Sequence, residues 1–248
     1  MVVIIGVARS GTSILGELMA TAKGVTYLFE PCEWNTIVEG SDRLEERHLF
    51  EYASNWKRWY SKYSEPLLVK SPRAILKIPF LQALWPETKF VHIVRDGRDV
   101  VCSWYKGMKT YRWGHLLPPS HQDLESLDWI SRAAHSWVEA LDIVLNDLKE
   151  VDHIQIKYEE LLDDPLREVD KLERYLGWNL DRTFCDKIAD STQHPYHAKL
   201  QDQWFVPDHK NRVGRHKENL SQEKIEMVEE ITKETLIRLG YEKEREDC

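Results

Sequence analysis

The sequence predicts an α/β fold with a central parallel sheet of about five strands, flanked by helices in three layers. Three observations predict it. Short apolar runs, rich in β-branched residues, recur at residues 2–5, 24–29, 67–70, 89–94 and 154–158. Stretches with helical spacing separate them, and that alternation builds parallel βαβ sheets. The strand–loop–helix unit also repeats with a basic residue at or just past the strand end, as at Arg9, Lys70 and Arg95.

The first unit organises the rest. Val2 to Ile5 reads as a buried strand, because an unbroken β-branched run suits burial on both faces. It ends at Gly6, and the loop Val7-Ala-Arg-Ser10 leads to Gly11-Thr-Ser13 and a helix over residues 12–22. The spacing is Gly-x4-Gly-x-Ser, as in a P-loop, but Thr12 stands where a nucleotide triphosphatase has lysine. Backbone N–H groups of such a loop and of the first helical turn lack internal partners and accept an anion. With Arg9 as the only cation inside the loop, nothing follows the β/γ phosphates of ATP, so γ-phosphate chemistry is disfavoured. An oxyanion such as a 5′-phosphosulfate still suits the loop. A plain glycine-rich βα turn is the alternative reading.

The second strand, at 24–29, ends at Glu30-Pro31. Pro31 holds Glu30 extended, and a carboxylate at the carboxyl end of a parallel strand lies where open α/β sheets place their ligands. Residues 41–63 carry Leu44, Leu49, Tyr52, Trp56 and Tyr60 at helical spacing and read as a helix or helix pair over the cleft. The third strand, 67–70, closes on Lys70-Ser-Pro-Arg73. A helix over 74–84 is expected to kink or break at Pro79. The fourth strand, 89–94, runs into Arg95-Asp-Gly-Arg-Asp99 and a helix through Val100, Val101 and Trp104. Residues 107–125 form a long loop, the kind that serves as a lid or stays disordered. An amphipathic helix follows over 127–148, then the fifth strand at 154–158. A helix over 165–176 is closed by Gly177, and a short helix follows within 179–190. Residues 191–220 are polar, His-rich and irregular. The last helix, 221–239, has Ser221 at its N-cap, with Lys224 where a capping-box glutamate would sit. No repeat or linker interrupts the chain, so residues 1–248 read as one domain.

Composition bounds the function. The net charge is −8 and the pI about 5.7, which gives no support for a nucleic-acid partner. No apolar run is long enough to span a bilayer and no signal-peptide pattern is seen, so a cytoplasmic enzyme is expected, with a lumenal catalytic domain separated from its anchor as the alternative. The four cysteines, Cys32, Cys102, Cys185 and Cys248, lack metal or disulfide spacing. No metal is expected; His194-x2-His197 is the nearest approach to a ligand pair. Ten tryptophans are present. Of these, Trp34, Trp56, Trp59, Trp104 and Trp113 fall near segments that could line a site and stack on a sugar or aromatic acceptor, although packing is the commoner fate.

Four motifs, in order and spacing, resemble the sulfotransferase family that uses 3′-phosphoadenosine 5′-phosphosulfate (PAPS). Gly6-Val-Ala-Arg-Ser-Gly-Thr-Ser13 resembles the loop that binds the 5′-phosphosulfate. Phe90-Val-His-Ile-Val-Arg-Asp-Gly-Arg-Asp-Val-Val-Cys-Ser103 resembles the segment that binds the 3′-phosphate. Lys157-Tyr-Glu-Glu-Leu161 resembles a segment whose tyrosine lies near the adenine, and Arg212-Val-Gly-Arg-His-Lys217 resembles the C-terminal basic loop that closes over the cofactor. The nearest branch is that of the Golgi carbohydrate and tyrosylprotein enzymes and their bacterial relatives, through Tyr27-Leu-Phe-Glu-Pro31 and Leu68-Val-Lys-Ser-Pro-Arg73. His216 departs from the tryptophan common in carbohydrate enzymes.

The resemblance implies PAPS as donor, PAP (3′-phosphoadenosine 5′-phosphate) as product, and a hydroxyl acceptor that is a carbohydrate or another small molecule. It implies cofactor contacts from Arg9, Ser10, Gly11, Thr12, Ser13, Arg95, Ser103, Tyr158, Arg215 and Lys217. Glu30 is then the general base, with Lys70 and Arg9 offsetting charge on the bridging oxygen. Helix capping is the other role open to Ser10, Thr12 and Ser13, a core position to Tyr158, and a solvated patch to Arg215 and Lys217. Arg98 and Asp99 read as structural ion pairs. A P-loop small-molecule kinase and a non-catalytic nucleotide-binding protein are the competing readings. Acceptor identity and oligomeric state are not readable from the motifs.

Overall fold

The computed structural model describes residues 1–107, 116–189 and 212–242. Five strands form one parallel sheet: β1 (Val2–Ile5), β2 (Thr26–Phe29), β3 (Leu67–Lys70), β4 (Lys89–Val94) and β5 (His153–Lys157). Their spatial order is β2-β3-β1-β4-β5. Val3 of β1 lies in register between Val69 of β3 and Phe90 of β4. The order reverses on either side of β1, so the carboxyl end of β1 is the switch point at which open α/β sheets bind ligands.

Side chains alternate across the sheet and feed two cores. Val3, Ile5, Val69 and Phe90 enter the core built with α2 (Leu49–Tyr60), α3 (Ile78–Leu84), α4 (Gly97–Gly107), α5 (Trp129–Asp147) and α10 (Gln222–Arg238). Val2, Ile4, Leu68, Val91, Ile93 and Ile156 enter the opposite core, built with α1 (Thr12–Met19), α6 (Tyr158–Asp163), α7 (Pro165–Leu176) and α8 (Phe184–Ala189). This is the three-layer arrangement the alternating pattern predicts.

Local chemistry explains most of the boundaries. Pro79 stops the expected 74–84 helix from being continuous: a 3-10 turn over Pro72–Leu76 precedes α3, and Pro79 falls in the first turn of α3, where its missing N–H costs nothing. Gly177 closes α7 in the left-handed conformation, φ 71°, with its N–H on the Glu173 carbonyl. Asp128 caps α5 by accepting from the Ile130 and Ser131 amides. Several features differ from expectation, among them Tyr158, which opens α6 instead of ending the fifth strand. Ser221 occupies the N-cap of α10, but its side chain makes no capping bond. Within the stretch expected to be irregular, residues His216–Asn219 form a short helix, α9.

Four of the tryptophans with a possible site role belong to the core. Trp34, Trp56 and Trp59 pack against one another with centroids 4.9–6.5 Å apart, and Trp56 also meets Phe80 at 5.2 Å. Trp104 is buried and donates to the Ala8 carbonyl at 3.1 Å, which anchors α4 beneath the first loop. Trp113, like His194 and His197, lies outside the described residues. No helix among the described residues is long and apolar enough to cross a membrane.

Candidate active site

The first loop is built by close approach. A side chain at Gly6 would meet the Ile93 carbonyl of β4 at 2.5 Å, and one at Gly11 would overlap the Tyr158 ring. Gly11 also has φ 96°, a left-handed value natural only to glycine. It is the N-cap of α1, and no side chain caps that helix. The first-turn amides therefore carry no side-chain cap and are available to an anion. Gly11, Thr12 and Ser13 line a cavity of about 80 Å³, while Ser10 is buried outside its lining. That volume suits an anion and is well below the ~300–1,000 Å³ that encloses a drug-sized ligand.

Four arginines converge on this cavity. Arg9 comes from the first loop, Arg95 from the end of β4, and Arg212 and Arg215 from the turn before α9; Ser103 of α4 and Tyr158 of α6 complete the lining with Ile14. Arg9 takes a left-handed φ of 76° and donates from Nε to Ser103 Oγ at 3.2 Å. Strain of this kind persists only where the surroundings over-determine it. Arg95 is 3% exposed. It donates to the Arg9 carbonyl at 3.1 Å, to Asp99 at 3.4 Å and to the Arg212 carbonyl, and its guanidinium lies 4.6 Å from the Tyr158 ring centroid. Arg95 Nε is buried and has no acceptor among the described residues.

Burial, reinforced by the charges of Arg212, Arg95 and Arg215, lowers the Arg9 guanidinium to about 10. Like charges crowded into a dry niche are unfavourable until an anion offsets them. The cavity thus has the geometry and the charge that an oxyanion site needs.

Beside it stands a carboxylate–ammonium pair. Lys70 ends β3, whose neighbour is β1, with Lys70 in register with Ile4. Its ammonium is 1% exposed and pairs with Glu30, which follows β2 and is 36% exposed. The Glu30 amide donates to the Lys70 carbonyl at 2.8 Å, and Glu30 takes a left-handed φ of 45° instead of the extended conformation expected before Pro31. That departure turns the residue at the strand end onto Lys70. Lys70 Nζ also sits 3.6 Å from the Phe29 ring centroid. Burial lowers the Lys70 pKa against the opposing pull of Glu30, and the Arg9 charge adds to the lowering, which places the pair within electrostatic reach of the anion niche.

The sequence-predicted residues thus fall into two adjoining groups. Arg9, Gly11, Thr12, Ser13, Arg95, Ser103, Tyr158 and Arg215 gather at the cavity; Glu30 and Lys70 form the pair beside it. Lys217 is exposed and not part of the lining. Arg212 was not singled out within its motif, yet it lines the cavity and holds Arg95 through its carbonyl. Arg98 is the structural ion pair expected of it, bound to Asp96 and Glu242 at 2.7 Å each and to Glu229 at 3.3 Å. No cluster of His, Cys, Asp and Glu that could hold a metal occurs among the described residues.

A model of the sulfotransferase family matches residues 39–182, more than half of the sequence. The chain belongs to that family. Human sulfotransferase 1C2 is 28% identical over 173 residues, covering 64% of this chain and 56% of the relative. The chain spans from about a third to little more than half of the length of the curated relatives it matches. The sulfotransferase domain from the curacin biosynthetic pathway superposes with a TM-score of 0.63 at 17% identity over 98% of each chain. Mouse sulfotransferase SULT7A1, solved in complex with PAP, superposes with a TM-score of 0.59 at 18% identity over 95% of this chain and 84% of that one. These superpositions establish a sulfotransferase fold. They do not set the acceptor, and no carbohydrate acceptor is named among them.

Proposed function

We propose that this chain transfers a sulfuryl group from PAPS to a hydroxyl acceptor. The carrying observation is the anion niche, where Arg9, Arg95, Arg212 and Arg215 meet at the uncapped start of α1, directly beside the Glu30–Lys70 pair. The residues fit a phosphate-bearing donor: one buried guanidinium nitrogen of Arg95 lacks an acceptor among the described residues, and Gly11, packed against the Tyr158 ring, lines the cavity with backbone alone. Bound PAPS would supply an already activated sulfuryl group. This chain's residues supply the rest. The arginines and the α1 amides hold phosphate charge in a site of low dielectric, where such contacts are strongest. Glu30 accepts the proton of the acceptor hydroxyl. Lys70, desolvated and tied to Glu30, offsets negative charge on the oxygen that leaves.

The acceptor is a small molecule carrying a hydroxyl. Sugar stacking on tryptophan finds no support among the described residues, since Trp34, Trp56, Trp59 and Trp104 are core. Phe29, 37% exposed beside Lys70, is the aromatic surface nearest the pair. A kinase reading is weakened by the same niche, because its four arginines come from three separated segments and no cation stands at the loop lysine position.

Calorimetric titration with PAP in EDTA tests the donor, followed by transfer of labelled sulfate from PAPS to an acceptor panel. Wild type is expected to bind PAP without metal. Arg95→Ala is expected to lose tenfold or more, since hydrogen bonds to charged groups are worth about 1.5–3 kcal/mol. Absence of binding, or equal binding of ATP with magnesium, would overturn the reading.

A further inference from the structure

Two of the four arginines at the niche, Arg212 and Arg215, arrive on a short turn far away in sequence from the other two. What holds that turn is a single buried carboxylate. Asp99, on the first turn of α4, is 0% exposed. Its Oδ2 accepts from the Gly214 amide at 2.7 Å and from Arg95 at 3.4 Å. Its Oδ1 accepts from the His216 amide at 3.1 Å and from His216 Nδ1 at 2.7 Å. Four donors therefore meet on one side chain, three of them from the turn and the fourth from the arginine at the heart of the niche. Gly214 has φ 75°, which bends the chain so that the 214 and 216 amides reach the same carboxylate. The Arg212 carbonyl closes the ring by accepting from Arg95.

We propose that Asp99 and His216 form a latch that positions Arg212 and Arg215 on the anion niche, and that donor affinity depends on it. Asp99 is a positioning residue. It does not line the cavity, whereas Arg95, Arg212 and Arg215 do. The arrangement also answers an electrostatic problem. Guanidinium groups brought together repel one another, and a carboxylate behind them, bonded to the backbone between two of them, holds the turn closed without occupying the ligand's place. His216 supplies what a hydrophobic residue at that position could not, a ring nitrogen that fixes α9 to α4 through Asp99.

The latch is argued from geometry alone, while its effect on the donor rests on the sulfotransferase reading. The test separates the two. Hydrogen–deuterium exchange on the ligand-free full chain reads the turn, and PAP titration reads the niche, in wild type, Asp99→Asn, His216→Asn and His216→Leu. In Asp99→Asn, exchange over residues 212–217 is expected to speed at least tenfold while β1 and β4 keep wild-type protection, and PAP affinity to fall tenfold or more. In the transfer assay, KM for PAPS is expected to change by a larger factor than kcat. His216→Asn, which keeps a donor near the Nδ1 position, is expected to bind PAP several-fold tighter than His216→Leu. Unchanged exchange over 212–217 in Asp99→Asn would overturn the latch, and so would PAP affinity within twofold of wild type. Should Asp99→Asn fail to fold, equal exchange and PAP affinity in the two His216 variants would overturn it. Should wild type fail to bind PAP, the donor reading falls, and the exchange comparison still decides whether the latch exists.

Discussion

The anion niche and the Glu30–Lys70 pair lie side by side, yet they are held in opposite ways. The niche is over-determined. Arg95 alone touches the Arg9 carbonyl, Asp99, the Arg212 carbonyl and the Tyr158 ring, and the elements involved span the chain from β1 to α9. The pair is joined by one ion pair and one backbone hydrogen bond, and its carboxylate is 36% exposed. The difference suits the proposed chemistry. A donor common to a whole enzyme class rewards a rigid, preorganised site, whereas an acceptor must enter and leave, and the base that meets it stands at the open side.

The comparison predicts that variants of the two regions separate binding from turnover. The largest effect is expected at Glu30. Glu30→Gln keeps the side chain's size but removes the base, so kcat should fall by about 10²–10⁴, the usual worth of general base catalysis, with PAP affinity within about twofold of wild type. Single-turnover transfer from labelled PAPS, beside calorimetry, measures both. A parallel loss of PAP affinity would mean that the two regions are one unit and the division is false.

Next comes Gly11→Ala, which attacks the niche through backbone and packing together. The new methyl would overlap the Tyr158 ring, at a φ of 96° that alanine avoids. Strain of this kind costs about 1–3 kcal/mol, so a Tm lower by about 5 °C is expected at this chain length, with PAP affinity down at least tenfold. A wild-type affinity would show that the loop relaxes freely and that the niche is not rigid.

How far the sequence carried is itself explained by this contrast. The five strands were legible because a central parallel sheet needs apolar side chains on both faces, and the run Val2 to Ile5 states that outright. The first loop was legible because glycine spacing encodes backbone geometry. Lys70 and Glu30 were placed by their positions at strand ends. Packing was the expected fate of most tryptophans and is the one the core shows, but which of them packs was not legible, since spacing along α2 does not tell whether Trp56 faces a cleft or Phe80. Glu30's left-handed turn was hidden too: Pro31 argues locally for an extended residue, and the tertiary pull of Lys70 overrides it. Arg212 was missed because its role depends on Asp99, more than a hundred residues earlier, and no local pattern reports such a tie.

The strand that delivers Arg95 carries a pH liability that the strand delivering Lys70 does not share. His92 of β4 is fully buried. Burial, with a smaller contribution from His153, lowers its pKa to about 3. Its folded value is therefore depressed below the unfolded value of about 6.5. The neutral ring's contribution is fully present above pH 6.5 and is lost as pH falls toward 3, because only the unfolded chain takes up the proton there. The slope is about 1.4 kcal/mol per pH unit. His92→Leu should flatten the fall of unfolding free energy between pH 6 and pH 4 by that amount, as read from urea titrations. Parallel curves for the two proteins would remove His92 as the cause.

The smallest effect expected is at Ser103, and its smallness is the point. Ser103 accepts a single hydrogen bond from Arg9 Nε at 3.2 Å and is 1% exposed. Removing the hydroxyl in Ser103→Ala leaves Arg9 within a niche whose other members are fixed by separate contacts, Arg95 by three carbonyl or carboxylate oxygens and Arg215 by its turn. One buried hydrogen bond contributes about 0.5–1.5 kcal/mol net, so PAP affinity should fall by about three- to tenfold in calorimetry. A loss of a hundredfold or more would mean that Arg9, strained at φ 76°, is held by Ser103 alone. The niche would then be as singly tethered as the Glu30–Lys70 pair, and the contrast between the two regions would fail at the residue that stands between them.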